Sequence, residues 1–366
     1  MTWGACLTIA SIDEGRHSLA GAFLLGLASL TRPEGVLIAP LLMILSLAAG
    51  QRSRKTVSGT ALWIGVFLVV WAPYFLWRWQ YYGYLLPNTF YAKVDIGGSQ
   101  IMRGLGYLHA FWKSTGYWLL LPITGIAFLT KRRSSLITAA LVAAYILYIV
   151  YVGGDGLPMY RFLAPILGLL FLLVAQGAEG WLTRFGHRRT AGSMVALAVV
   201  LAAAYAARPH FKGPEYAYVQ QDIREVSAWK EIGLWFREHS NRGDMIAVVP
   251  AGAIPYFSGL AALDMLGLND VTIAHTEVSM GEIQAGHEKY NIDYMLQRAP
   301  TYFIVGIYGL SEAQGDPLRK IQPYYPVELH LMSSPEFQRR YRPKLAKSFS
   351  GYFTYFEKRE PPDGRP

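Results

Sequence analysis

The 366-residue sequence holds one cysteine, Cys6. That excludes an intramolecular disulfide and a CxxC metal or redox site. Charge is scarce too: Asp, Glu, Lys and Arg make up 16% of the residues, against 52% hydrophobic and 14% aromatic. This balance is too apolar for an ordinary soluble enzyme of the same length, and it reads as a membrane protein with a soluble part. There is no internal repeat and no low-complexity segment apart from the polar, proline-rich residues 360–366. The first residues do not read as a secretory signal, because no basic region precedes Met1–Ala10 and no cleavage site follows.

What is present is an excess of cations, a formal net charge of +9. These residues lie in short clusters between apolar runs: QRSRK from 51, KRR from 131 and RFGHRR from 184. Clusters of this kind mark cytoplasmic loops and speak against a nucleic-acid partner. Apolar runs at 35–49, 58–77, 114–130, 135–152, 161–178 and 191–207 predict six spans, against the roughly 20 residues a bilayer requires. Two shorter runs, 1–11 and 18–30, flank DEGRH and predict a truncated helix and a half-helix. A start inside an apolar run predicts that an N-terminal portion precedes this chain. Alternation from the basic clusters puts residues 80–113, 153–160 and everything after 208 on the outer side.

The predicted domains are therefore a membrane domain over 1–207 and an extracytoplasmic α/β domain over 208–366. In the second, DIREVSAWKEIGLWFREHS sets Ile223, Val226, Trp229, Ile232 and Phe236 on one helical face. DMIAVVP, TYFIVGIY and GYFTYFEKR read as strands, with RAP as a helix-to-strand turn. About 155 residues suffice for one small domain with its own core.

Three outer-side loops carry the chemistry, since polar groups at span edges concentrate where they line a cavity or meet headgroups. In LTRPEGVL, Pro33 stops a helix and Gly35 turns the chain, leaving Arg32 and Glu34 at the interface. They form either a local ion pair with a snorkelling arginine or a bidentate guanidinium site for phosphate. In WRWQYYGYLLPNTFYAK, an aromatic belt accounts for Trp77 and Trp79. Asn88, Tyr91 and Lys93 suit sugar hydroxyls and a phosphate. In GGDGLPMYRFLAP, Gly153, Gly154 and Gly156 allow a tight turn and Pro158 restarts a span. There Asp155 either caps the next helix or binds a sugar hydroxyl, while Arg161, next to Tyr160, either snorkels or meets an anionic lipid head. The three loops are expected to converge on one lipid-headgroup site.

At these loops the sequence resembles the bacterial polyprenyl-phosphate-dependent glycosyltransferases of the GT-C fold, in the branch similar to terminal β-(1→2)-arabinofuranosyltransferase. The resemblance rests on GLASLTRPEGVL, YYGYLLPNTFYAK and VGGDGLPMYRFLAPIL, then on AGAIPYFSGLAALDMLGLND, GHEK and YMLQRAPTYFIV, and covers residues 18 to about 308. It implies a multi-pass helical membrane domain, with about 6–8 helices in this chain, followed by a small extracytoplasmic α/β domain in the bacterial cytoplasmic membrane. The implied reaction moves a sugar from a polyprenyl-phosphate donor to a cell-envelope glycan or lipid acceptor. Arginines or lysines would stabilise the departing phosphate, and a carboxylate would serve as base. That base is expected upstream of TRPEG, a region this chain does not include, while Asp13 and Glu14 fall on the side assigned to the cytoplasm. In the α/β domain Asp264, His275 and His287 lie in the matching stretches, in structural or site-facing roles. No cofactor is implied, and no ligand-like spacing indicates a metal. The alternatives are a non-catalytic scaffold and a polyprenyl-lipid-binding transporter subunit. Few polar residues lie inside the spans, which disfavours the transporter.

Overall fold

The computed structural model describes residues 1–13, 17–49, 54–94, 98–129, 132–157, 159–184, 188–207, 214–278, 283, 285–307, 309–312 and 314–360. Glu14, Pro158, the 207/208 boundary, parts of the three basic clusters and residues 361–366 therefore fall outside or at the edge of what is described. The chain forms two compact units: Met1–Leu85 with Met102–Phe211, and Leu86–Ile101 with Lys212–Pro366.

The first unit is helical. Its elements are α1 (Thr2–Asp13), α2 (Leu19–Thr31), α3 (Gly35–Ala49), α4 (Arg54–Tyr82), then α6 (Gly98–Thr115), α7 (Leu121–Leu129), α8 (Arg133–Tyr151), α9 (Leu167–Arg184) and α10 (Arg188–Ala207). The intervening α5 (Asn88–Lys93) and the first turn of α6 belong to the second unit. One apolar core joins residues such as Leu25, Leu42, Trp63, Leu141, Ile149 and Leu169. Gly177 of α9 lets the helix approach so closely that an added Cβ would strike the Ile123 carbonyl of α7.

Among the described residues three stretches are long and apolar enough to cross a membrane: Val57–Tyr82, Arg133–Tyr151 and Ala164–Thr183. They match the predicted spans at 58–77, 135–152 and 161–178. The prediction for 114–130 is corrected: Gly116, at φ +67°, ends α6, a 3-10 turn follows over Tyr117–Leu120, and α7 has nine residues. The four residues of the 3-10 turn and the nine of α7 together rise about 22 Å, short of the roughly 30 Å of hydrocarbon. Helix α3, with 15 residues and Pro40 inside it, and the described apolar part of α10, Gly192–Tyr205, are also shorter than a full span. Along α4 the rings of Trp63, Phe67, Trp71, Phe75 and Trp79 follow one another at four-residue spacing, 4.6–6.4 Å between centroids. The ladder runs from a buried Trp63 to a half-exposed Trp79.

The second unit is a three-layer α/β structure. Helix α11 (Pro214–His239) leads into β1 (Met245–Val248), α12 (Ala253–Ser258), β2 (Ala261–Asp264), α13 (Val271–Ala274), α14 (Ile292–Arg298) and β3 (Tyr302–Ile304). Then come α15 (Pro326–Ser333), α16 (Pro335–Arg340), β4 (Tyr341–Lys347) and β5 (Tyr352–Lys358). The sheet order is β2-β1-β3-β5-β4; β1 is parallel to β2 and β3, and β5 is antiparallel to β3 and β4. Alternation along the strands builds two cores. Ile246, Val248, Tyr302, Ile304, Phe353 and Tyr355 pack on Ile232 and Phe236 of α11, while Ala247, Phe303 and Phe356 pack with Met295, Val327 and Phe337.

The α11 reading needs one correction. Ile232 and Phe236 are fully buried, but Ile223 and Val226 are exposed, because only the C-terminal half of the 26-residue helix lies over the sheet. The three expected strands are present as β1, β3 and β5. Ala299, left-handed at φ 48°, closes α14 just before β3, as the RAP turn predicts.

Candidate functional site

In the first unit, two of the three loops meet. Arg32 ends α2 in an extended conformation, with its backbone N–H on the Ala28 carbonyl. Its side chain forks onto Glu34, with Nη2 to Oε1 at 3.1 Å and Nε to Oε2 at 3.4 Å. Arg161 makes the same fork on Asp155, with Nη2 to Oδ1 at 3.1 Å and Nε to Oδ2. The two forks are tied together, since Arg32 Nη1 donates to the Arg161 carbonyl at 3.3 Å. Both guanidinium carbons also lie over the Phe162 ring, at 5.7 and 5.9 Å from its centroid.

Burial is asymmetric in both pairs. The arginine side chains are 34% and 47% exposed, whereas Glu34 and Asp155 are 7% and 2% exposed. Carboxylates thus stand behind and guanidinium edges in front. Among the described residues Arg161 Nη1 has no partner, so one N–H edge faces outward. The hydrogen bond to Asp155 holds the Arg161 pKa above its ordinary value. Such an arrangement can receive an anion on a rigid, charged, planar edge.

The loop is shaped by its backbone. Gly154 sits at φ +75°, where a Cβ would also meet the Tyr107 ring, and Arg103 Nε donates to the Gly153 carbonyl at 3.1 Å. Asp155 Oδ1 accepts the Leu157 N–H at 3.3 Å, a turn contact. Met159 and Tyr160 both take left-handed φ, 72° and 50°, a strained pair for non-glycine residues. The Tyr160 ring is set between Tyr107 and Phe111, each 5.6 Å away. The Tyr107 hydroxyl accepts the Phe162 N–H at 3.3 Å.

Tyr107, Tyr145 and Phe162 escaped the sequence reading: Tyr145 and Phe162 lie in apolar runs where an aromatic residue signals only core, and Tyr107 lies between the named loops, in a stretch where no motif is read. Tyr145 is 3% exposed and within electrostatic reach of Glu34 and Arg32. Its hydroxyl has no hydrogen-bond partner among the described residues.

The residues of the remaining loop belong to the second unit. Asn88 Nδ2 donates to the carbonyls of Gly267, Leu268 and Asp270 at 2.9, 3.2 and 3.3 Å, which docks α5 on the loop after β2. The Tyr91 ring lies on His275, 4.5 Å between centroids, and the Lys93 stem passes beside Gly286. His275 closes α13 with its Nδ1 2.8 Å from the Val271 carbonyl oxygen. His287 stacks on Tyr325 at 4.4 Å. Burial lowers its pKa and the Lys93 ammonium adds to this, against a hydrogen bond to the Ala285 backbone and the charge of Glu288.

Asp264 is 3% exposed and staples its own loop, accepting the N–H of Leu266 at 3.0 Å, the N–H of Asn269 at 2.8 Å and the Asn269 amide at 3.2 Å. Burial raises its pKa while these donors pull it down, with a net upward shift. Asn88 and Asp264 thus take structural roles through these contacts. Tyr91, Lys93, His275 and His287 gather on the same part of the second unit.

Comparison with known proteins gives two matches. Residues 214–358 match a family described as a domain of unknown function (DUF8728), which corresponds to α11 through β5. The chain is 30% identical over 193 residues to terminal β-(1→2)-arabinofuranosyltransferase of Mycobacterium tuberculosis (strain ATCC 25618 / H37Rv). The chain is distantly similar to a glycosyltransferase. The match covers 43% of this chain and 30% of the length of that relative. No solved structure matches the chain.

Proposed function

We propose that the chain forms part of a membrane glycosyltransferase of GT-C type. In this reading it moves a sugar from a polyprenyl-phosphate donor to a cell-envelope glycan or lipid acceptor, at the outer face of a bacterial cytoplasmic membrane. The observation that carries it is the pair of arginine forks on Glu34 and Asp155, joined through the Arg161 carbonyl and Phe162. The leaving group of such a reaction is a lipid phosphate, and fixed guanidinium edges stabilise the charge it acquires as the glycosidic bond breaks. Distant similarity to an arabinofuranosyltransferase supports the same reaction class.

Asp155 is assigned to orienting Arg161 rather than to deprotonating the acceptor. Its two oxygens already accept from the guanidinium and from the Leu157 N–H, so both are engaged in holding Arg161 and the turn. The reading needs no cofactor, and it puts the second unit on the extracytoplasmic side, as the basic clusters imply.

The test is transfer by purified full-length protein in liposomes, with synthetic polyprenyl-phosphate pentose and hexose donors. Arg161→Ala abolishes transfer while Arg224→Ala, on α11 of the second unit, leaves it intact. Undiminished transfer by Arg161→Ala sinks the site. Arg161-dependent donor binding without transfer by the unsubstituted protein favours the alternative, a polyprenyl-lipid-binding protein.

A further inference from the structure

Among the described residues Phe349 is the most exposed large hydrophobic side chain, at 97%. It stands at the tip of the β4–β5 hairpin, in the sequence Lys347-Ser348-Phe349-Ser350-Gly351. A ring so exposed usually belongs to a loose loop, but this tip is held from two sides. Glu231 of α11 accepts from Ser348 Oγ at 3.0 Å, from the Ser350 N–H at 2.9 Å and from Ser350 Oγ. Within the tip, the Ser348 N–H donates to the Gly351 carbonyl at 2.7 Å. Just beyond it, Ser311 and Tyr352 exchange two backbone hydrogen bonds of 2.8 Å. Burial raises the Glu231 pKa, yet the serine donors outweigh it and hold the carboxyl below its ordinary range, so this anchor stays ionised and turned inward.

Lys347 flanks the ring, with its ammonium over Tyr352. On α11, Arg224 shares the face of Glu231, seven residues earlier. The 3-10 turn Pro317–Lys320 packs on the same hairpin and carries half-exposed Leu318 and strongly exposed Arg319.

We infer that the β4–β5 tip is a lipid-contacting finger, in which Phe349 enters the headgroup boundary of an anionic bilayer and Lys347 pairs with its surface charge. A single ring on a narrow tip is far too small for a protein interface, which buries roughly 1,000 Å² or more. It is enough for a tethered bilayer contact, because attachment replaces most of the intrinsic affinity. The tether is on the same chain: among the described residues three segments are long and apolar enough to cross a membrane, and α11 begins seven residues after the apolar α10 ends. Seven residues reach at most about 25 Å. This inference does not depend on the glycosyltransferase reading.

The test uses the full chain carrying Cys6→Ser and Phe349→Cys, with a nitroxide ring in place of the phenyl, reconstituted in vesicles of phosphatidylcholine alone or with phosphatidylglycerol. With the anionic lipid, the label relaxes more strongly with oxygen than with a water-soluble nickel complex. A label at Asn241→Cys, exposed beside Asp244 at the opposite end of the sheet from the tip, serves as the aqueous reference. Lys347→Gln lowers the ratio of immersed to aqueous label about fivefold, the worth of one lysine at an anionic surface. A label at 349 as accessible to nickel as the reference overturns the inference. So does an immobilised label shielded from both reagents, which would mean that protein covers the tip.

Discussion

Arg161 holds both carboxylate oxygens of Asp155, and the exposed partner is the cation while the buried one is the anion. A buried anion left without its partner is costly, whereas an exposed cation left alone is solvated. The two halves of the pair therefore fail differently. Arg161→Lys keeps the charge but loses the fork, and on the proposed function it slows transfer about ten- to hundredfold, the worth of one charge-assisted hydrogen bond. Asp155→Asn frees the guanidinium to turn, so it raises the KM for the donor lipid and changes the melting temperature little. Steady-state kinetics with the synthetic donor separate the two outcomes. Equal effects of both substitutions on kcat alone would contradict them.

Gly154→Ala tests the loop geometry. The new methyl sits at φ +75° and 2.7 Å from the Tyr107 Cβ. Left-handed backbone costs about 1–2 kcal/mol for an alanine, and displaced Tyr107 loosens its hold on the Phe162 N–H. A lower melting temperature in detergent is expected, together with loss of transfer.

Asn88→Ala removes the donor that serves three carbonyls. Faster amide exchange across residues 267–275 is the expected outcome, with about 1–2 kcal/mol less stability in the second unit. Unchanged exchange there, with a raised KM for donor, would instead give Asn88 a substrate role.

The stability of the second unit depends on pH through His287. Its folded pKa lies below the ordinary 6.5, so the unfolded chain takes up the proton first. Stability is therefore flat above the ordinary imidazole value and is lost as pH falls through it toward the folded value. Melting curves from about pH 8 down to about pH 5 should show this loss, and His287→Gln should flatten it.

Near-continuous apolar and aromatic runs revealed β1, β3 and β5 in the sequence because those strands are covered on both faces. Strands β2 and β4 escaped notice as edge strands: Ala261 and Ala262 are exposed, and RPKLAK carries the charges that edges use to avoid pairing. The amphipathic period of α11 was legible from Ile223 to Phe236, but a period does not say where the sheet beneath it ends.

The Arg32–Glu34 pair was legible because the two side chains stand two residues apart across Pro33, whereas the sequence points Asp155 and Arg161 separately toward a cap, a sugar or a lipid head, and their pairing came from the structure. Local sequence alone determined the Arg32–Glu34 pair, three of the six expected spans and the change of composition after Ala207. Only tertiary structure decided that Arg32 reaches the Arg161 carbonyl 129 residues away, and that Asn88 docks on carbonyls 179 to 182 residues away. Backbone carbonyls carry no sequence signature. Contacts made to them across a long chain become visible only once packing has brought the segments together.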